Sequence, residues 1–372
     1  MSIKIYIITT LCLILLPYNV LFSETFPQPP SNFHDENAGA EENPFLISNL
    51  ANIRWLSETP EIWGNNFESE YSTKYHYILT ADIDASETMS WNAGSGFLPI
   101  GRHIPNVMFI DEIQADSYVV PFTGDFDGKG YLIKNIFINT SLMEPPISIS
   151  DGFFGWTSDA NIRNLHLRDI FIIEGETDNA TGAVIGVMDN STLSNSSATG
   201  IIVKNNYVTS GLVGKTSRSA INNCYSRVSI FMGKNLLQYS ISEDPNTVWV
   251  TAGLVGYLSS TSLINSYYNG VINAPNRSER YGDLIGLFSG ESLINNCFSI
   301  NKRAYTVYGE IEEWDYRVFP FWKNDISYLT NRQMQNPRKF IRKGFDFENV
   351  WAIEPEINGG YPYLKQIAQR FQ

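Results

Sequence analysis

The sequence predicts an all-β protein: a right-handed parallel β-helix, or solenoid, with a short N-terminal helix cap and a C-terminal cap segment. Three observations carry this expectation. A motif returns six times between Phe122 and Ser299. Its spacing stays close to one value, and every copy mixes short apolar pairs with Gly, Asn and Ser in a pattern that lacks a helical period.

The repeats align on apolar positions Ile133, Ile162, Leu193, Ile221, Leu263 and Ile294, which are followed by Asn135, Asn164, Asn195, Asn223, Asn265 and Asn296. These asparagines lie 29, 31, 28, 42 and 31 residues apart, so one insertion interrupts an otherwise steady period. Such a period marks stacked repeats, because a single repeat cannot bury its own apolar face. Upstream, a glycine closes an apolar pair in five copies, at Gly155, Gly186, Gly214, Gly256 and Gly286. Short strands joined by tight corners follow, stacked about 4.8 Å apart, with the right-handed sense usual for parallel connections. The asparagines are expected at corners as a structural ladder, and the closing glycines at corners that no side chain could enter. The most regular polar residues are therefore architectural rather than catalytic.

Cys224 and Cys297 directly follow ladder asparagines, and Ser266 takes that place in the copy between them. Both should point inward, two repeats and roughly 9–10 Å apart. That exceeds the ~7 Å limit for a disulfide, so two buried free thiols are expected.

From the N-terminus, Lys4 precedes an apolar stretch from Ile5 to Leu16, and Ser23 offers a small cleavage residue. Residues 1–23 thus read as a secretory signal peptide, which Cys12 would leave with. Residues 24–42 are rich in Pro, Asn and acidic side chains and read as a flexible leader. Ser48 is placed to cap a helix with Leu50, Ile53 and Leu56 on one face, and that stripe should cover the open end of the stack. In Phe122–Gly130, Asp125 and Asp127 are spaced like alternate calcium ligands. Tight glycine turns explain them more simply, and calcium binding stays open.

Two stretches break the period. Residues 232–250 form the insertion and carry Tyr239 and Trp249, candidates for ligand contact on a protruding loop. Residues 305–322 place Trp314, Tyr316 and Trp322 among carboxylates, the composition of a sugar-binding surface. A cover for the C-terminal end of the stack explains the same aromatics and is the preferred reading. Further on, Thr330 and Gln333 have capping-box spacing.

Composition narrows the function. With 39 acidic against 26 basic residues and a net charge of −13, a nucleic-acid partner is excluded, and no stretch after the signal suits membrane insertion. His34, His76, His103 and His166 show no metal-ligand spacing, and no His-Glu-x-x-His motif occurs, so neither a metal site nor a cofactor is expected. Sequons at Asn139, Asn179, Asn190, Asn195 and Asn276 are what an Asn- and Ser-rich repeat generates by chance.

The segments Gly253-Leu-Val-Gly256, Ile221-Asn-Asn-Cys-Tyr225, Ile264-Asn-Ser-Tyr267 and Ile294-Asn-Asn-Cys-Phe298 resemble the GLUG-motif repeats of secreted and surface bacterial proteins. Such repeats occur in adhesin-like proteins and as accessory segments of IgA-type metallopeptidases. Asn43-Pro-Phe-Leu-Ile47 and Leu79-Thr-Ala-Asp-Ile-Asp84 are similar to the usual entry, and Asn358-Gly-Gly-Tyr-Pro-Tyr-Leu364 to the usual ending. Ala183 and Asp283 depart from the first glycine of the motif. The resemblance implies residues 43–302 as the repeat domain, with its helical cap, and 303–372 as the C-terminal capping segment. It carries over no catalytic residue. The expectation is a monomeric, secreted or cell-surface, non-catalytic binding protein of adhesin type. Its partner would be a host or environmental glycan or a surface protein, bound through a sheet face or the 232–250 loop. A carbohydrate-active β-helix enzyme, a lyase or glycoside hydrolase, and a structural spacer remain the alternatives.

Overall fold

A computed structural model describes residues 24–64, 74–104, 118–143, 150–175, 180–205, 207–232, 250–273, 280–300 and 326–370. Strand is their main regular structure, and the four larger sheets are parallel and do not close on themselves; two short pairs, Arg102–Ile104 with Tyr118–Val120 and Trp351–Ala352 with Tyr363–Leu364, are antiparallel.

From Phe154 to Gly282, four successive repeats pass in turn through the same four sheets. In one repeat, Ile185–Asp189 joins a five-stranded sheet, Thr192–Ser194 an eight-stranded sheet, Ser197–Lys204 a ten-stranded sheet and Val208–Ser210 a four-stranded sheet. Each strand pairs with its equivalents in the preceding and following repeats, so that Ile162, Leu193, Ile221, Leu263 and Ile294 fall in register. All five are essentially inaccessible and join one continuous core. Removing each such side chain from water stabilises the stack by roughly 1.5–3 kcal/mol.

The asparagines at 164, 195, 223, 265 and 296 all adopt the left-handed conformation, with φ between 47° and 55°. Asparagine tolerates this region better than other side chains. Asn223 Nδ2 donates to Asn195 Oδ1 at 3.1 Å, and Asn296 Nδ2 to Asn265 Oδ1 at 2.9 Å. Asn135 does not belong to this row. Lys134 pairs with Arg168 in the ten-stranded sheet, so Asn135 lies level with Asp169, while Gly128 lies level with Asn164. Asn135 also has positive φ, 62°, which is why the same residue type marks a different corner at a similar spacing.

The closing glycines need correction too. They lie inside strands rather than at corners, and none has positive φ. What they lack is room. A Cβ on Gly214 would stand 2.5 Å from the Gly186 carbonyl oxygen, and one on Gly256 2.5 Å from that of Gly214.

A second ladder, of hydroxyl side chains, precedes the asparagines by four residues. The backbone N–H groups of Ala160, Ser191 and Ser219 donate to the hydroxyls of Ser191, Ser219 and Thr261 in the next repeat, at 3.1–3.2 Å. Those hydroxyls donate in turn to the carbonyls two residues earlier, at 2.6–2.7 Å. These buried N–H groups and hydroxyls are thereby paired.

At the N-terminal end, Phe45–Ile47 is the edge strand of the eight-stranded sheet and leads into α1, Leu50–Glu58. Asn49, not Ser48, is the N-cap, and its side chain accepts from Asn52 N at 3.0 Å. Ile53 and Leu56 enter the core, and Leu50 stays at its edge. Residues 24–42, expected to be a flexible leader, wrap this helix. Asn32 is 5% exposed and bonds Pro44 O, Asn43 Oδ1 and Leu46 N, while Phe33 packs on Phe45 and Trp55. A segment poor in apolar periodicity is fixed here by one fully paired buried amide.

Candidate functional site

The outward face of the ten-stranded sheet is unusual for a surface. Leu132, His166, Ser197, Tyr225, Tyr267 and Phe298 are in register across six repeats. Their sequence neighbours Cys224 and Cys297 point the other way, into the main core. Tyr225 and Tyr267 stack at 5.2 Å with planes 4° apart. An aromatic row of this kind requires cover.

The C-terminal segment supplies it. Ile326–Tyr328 extends the ten-stranded sheet. Two short helices follow, α2 (Asn331–Met334), with the Thr330–Gln333 capping box, and α3 (Pro337–Ile341). Phe340, Phe345 and Trp351 then close over Phe298, Tyr267 and Tyr225. Expected over the end of the stack, the described part of this segment instead runs back along its flank, because the exposed aromatic row lies there. It reaches as far as His166, whose Nε2 meets Gln366 Nε2 at 3.1 Å.

Between this strap and the sheet lies a cleft of about 470 Å³, within the range of small-molecule sites. Two local features shape it. Pairing between His166–Ile173 and Ser197–Lys204 shifts by one residue, so that Arg168 and Asp169 together oppose Thr199. Such bulges re-aim side chains, and Asp169 turns through φ 57° onto the cleft wall. Gly200 is required beside it: with φ 143°, a Cβ there would lie 2.0 Å from the Ile170 carbonyl oxygen.

The second feature is the turn Asn358–Gly360, with φ values of 52°, 65° and 78°. Asn358 Nδ2 is held by Tyr267 OH at 2.9 Å and Pro362 O at 2.7 Å. Its Oδ1 accepts Arg227 Nη1 at 2.8 Å, and the Tyr361 ring lies 5.4 Å from the guanidinium. Arg227 is therefore oriented by a neutral amide and an aromatic face. Among the described residues it has no carboxylate within ion-pair distance. Arg168, Asp169 and Glu356 add one positive and two negative groups to the walls.

His166 also lines the cleft but is 1% exposed. Burial lowers its pKa to about 3, and its Nδ1 pairs with Ser197 Oγ at 2.9 Å. Burial therefore favours the neutral ring.

Asp125 and Asp127, the sequence candidates for calcium, flank the buried Phe126 and are occupied by protein cations. Lys74 Nζ lies 2.7 Å from Asp125, and Arg163 Nε and Lys129 Nζ lie 3.0 and 3.1 Å from Asp127. Burial opposes the Asp127 charge, but hydrogen bonds from Asn164 and from Lys129 outweigh it and lower the pKa. Among the described residues no group of three metal-binding side chains occurs, and no helix is long and apolar enough to cross a membrane. Cys224 and Cys297 are buried and unlinked, and burial pushes the Cys224 thiol up to about 12.

A further enclosed group joins the ten- and four-stranded sheets. Glu174, wholly buried, accepts from Thr209 Oγ1 at 2.7 Å and Asn205 N at 2.6 Å, and buried Lys204 donates to Thr251 Oγ1 at 2.6 Å. These hydrogen bonds tie the ends of strands in the ten-stranded sheet to the four-stranded sheet.

The aromatic candidates Tyr239, Trp249, Trp314, Tyr316 and Trp322 lie outside the described residues. None of the cleft residues was singled out from the sequence as a binding group. The available signal was Gly200, an isolated glycine within a strand pattern, which marks a bulge or a close backbone approach.

No family model matches the chain. It is similar to Halomucin of Haloquadratum walsbyi, 33% identical over 186 residues, and to an immunoglobulin A1 protease of Streptococcus sanguinis, 27% identical over 228 residues. These matches cover 49% and 60% of the chain but only 2% and 10% of those relatives. A crystal structure of a Bacteroides ovatus chain, provisionally assigned as an immunoglobulin A1 protease, aligns with 88% of this chain and 94% of its own length. The identity is 17% and the TM-score 0.45.

Proposed function

We propose that this chain is a non-catalytic binding segment of a secreted or cell-surface protein, its parallel sheets wound as a right-handed β-helix of GLUG type. The observation that carries the reading is the cleft beneath the C-terminal strap. It combines an oriented Arg227, hydrogen-bonding groups of both signs and a histidine held neutral by burial. The arginine, the carboxylates and the Thr199 hydroxyl are groups that recognise a polar ligand through hydrogen bonds.

The names of the relatives support an extracellular setting. Mucins and antibodies act outside cells, and a protein named for cleaving immunoglobulin A1 works where that antibody is found. The absence of a His-Glu-x-x-His motif from this sequence fits an accessory role rather than the peptidase role. Adhesion to a glycan or glycoprotein follows as the activity, with the repeat stack as its rigid support.

The test pairs a glycan array with a reducing-end release assay on polysaccharides, both run on the purified protein. Saturable binding without release is expected. Turnover of any polysaccharide would replace this reading with a carbohydrate-active enzyme.

A further inference from the structure

We infer that the cleft between the outward face of the ten-stranded sheet and the C-terminal strap binds a sugar that carries a carboxylate, with Arg227 as its anchor. The inference rests on the binding reading above and names the ligand class for that site.

The argument begins with Arg227. Its guanidinium is fixed from one side by Asn358 Oδ1 at 2.8 Å and from another by the ring of Tyr361. Asn358 is itself held by Tyr267 and Pro362, so the arginine is oriented before any ligand arrives. An arginine presents five N–H donors, and the hydrogen bond to Asn358 uses one. A planar fork with donors to spare is the group that recognises a carboxylate through two parallel hydrogen bonds.

The remaining walls decide between kinds of anion. Glu356 and Asp169 are negative, and Arg168 stands 3.6 Å from Asp169 as its ion-pair partner, so Arg227 is the positive wall group that no described carboxylate approaches within ion-pair distance. A phosphate, bearing close to two negative charges, exceeds the single charge that Arg227 offers and would also face the Glu356 carboxylate. A sugar acid brings a single negative charge for Arg227 together with hydroxyl groups. Carboxylates accept hydrogen bonds from hydroxyls, and Thr199 can donate or accept. Leu132, Ile201 and Ile367 give the cleft apolar walls against which the C–H face of a sugar ring can lie. Mixed-sign walls, one fixed arginine and partial apolar lining match a polyhydroxylated monocarboxylate.

Two sources share this chemistry: a terminal sialic acid and a chain-internal uronic acid. Titration calorimetry with sialyllactose, with a glucuronate-containing disaccharide and with lactose separates them. The expected result is saturable binding of at least one acidic sugar and binding of lactose weaker by roughly ten- to hundredfold, the loss of one charge-assisted pair of hydrogen bonds. Converting the sugar carboxyl to an alcohol should weaken binding by the same factor, as should Arg227→Gln. Arg227→Lys keeps the charge but not the fork and should retain only part of the affinity. Arg218→Gln, at a corner outside the cleft, should bind as the unmodified protein does, and thermal melting of each variant confirms that it is folded.

Equal binding of lactose and the acidic sugars would overturn the inference, as would unchanged affinity in folded Arg227→Gln, or competition by free glycine but not by the acidic sugars. If neutral glycans bind in an Arg227-independent way, the ligand class is wrong while the binding reading stands. Polysaccharide turnover removes the binding reading itself.

Discussion

Ser266 Oγ accepts the backbone N–H of Cys224 at 3.1 Å across one step of the stack, and donates to the carbonyl of Ile264 at 2.8 Å. Cys224 does the same with its thiol, whose Sγ lies 3.2 Å from the carbonyl oxygen of its own residue 222. Serine and cysteine thus occupy one inward row because each is small and can return a hydrogen to the corner. Cys224→Ser should change stability by less than about 1 kcal/mol, whereas Cys224→Leu should overpack the row at a cost of about 1–3 kcal/mol. Denaturant midpoints of the two variants check this.

The raised Cys224 pKa has a chemical consequence. In the folded chain the thiol, at about 12, remains protonated at pH 8.5, where an unfolded cysteine is half ionised. Stability contributed by the protonated thiol is complete below the unfolded value and is lost as pH rises from there toward 12. Iodoacetamide at pH 8.5 should leave Cys224 unmodified in the native protein and alkylate it rapidly in urea, with peptide mass spectrometry as the readout.

His166 works in the opposite direction. Its folded pKa is depressed to about 3, so the unfolded chain takes up the proton first on acidification. Stability associated with neutral His166 is intact above about 6.5 and falls as pH drops from there toward 3. His166→Gln should flatten the pH dependence of the melting temperature over that window, since neither Ser197 nor Gln366, its two partners, titrates there.

The hydroxyl ladder gives a substitution test. Ser219→Ala would leave the buried N–H of Ser191 without its acceptor and should destabilise by about 1–3 kcal/mol. Ser219→Thr should be tolerated, because Thr261 fills the equivalent place with the same bonds. Equal loss in both variants, measured by thermal melting, would show that the hydroxyl is not the stabilising element.

Much of the fold was legible from particular residues. Asn195, Asn223, Asn265 and Asn296 suggested corners through residue type and spacing, and the left-handed conformation of those residues is what the structure adds. Thr330 and Gln333 announced a helix start. Asn135 misled because two different corners ask for the same conformation, and only strand pairing tells them apart. The glycines at 186, 214 and 256 were recognised, but the reason for them is contact between neighbouring repeats, which a single repeat does not display. Asn32 is fixed by bonds to residues 11 to 14 positions away, and a composition rich in Pro, Asn and acids does not reveal such bonds. The cleft was hidden more deeply. Arg227 and Asn358 are 131 residues apart, and nothing in local pattern says that the C-terminal segment turns back onto the flank.

The register of the repeats underlies every column, ladder and cleft wall described above, and engineered disulfides test it directly. Thr192 pairs with Ala220, and Ala220 with Ser262. With Cys12, Cys224 and Cys297 replaced by serine, Thr192→Cys with Ala220→Cys places two thiols on adjacent strands, within bonding range. Thr192→Cys with Ser262→Cys separates them by two strand spacings, roughly 9–10 Å, beyond that range. Mild oxidation followed by non-reducing peptide mapping should find a bond in the first pair and free thiols in the second. A bond between positions 192 and 262, with none between 192 and 220, would contradict the stacked register on which the account depends.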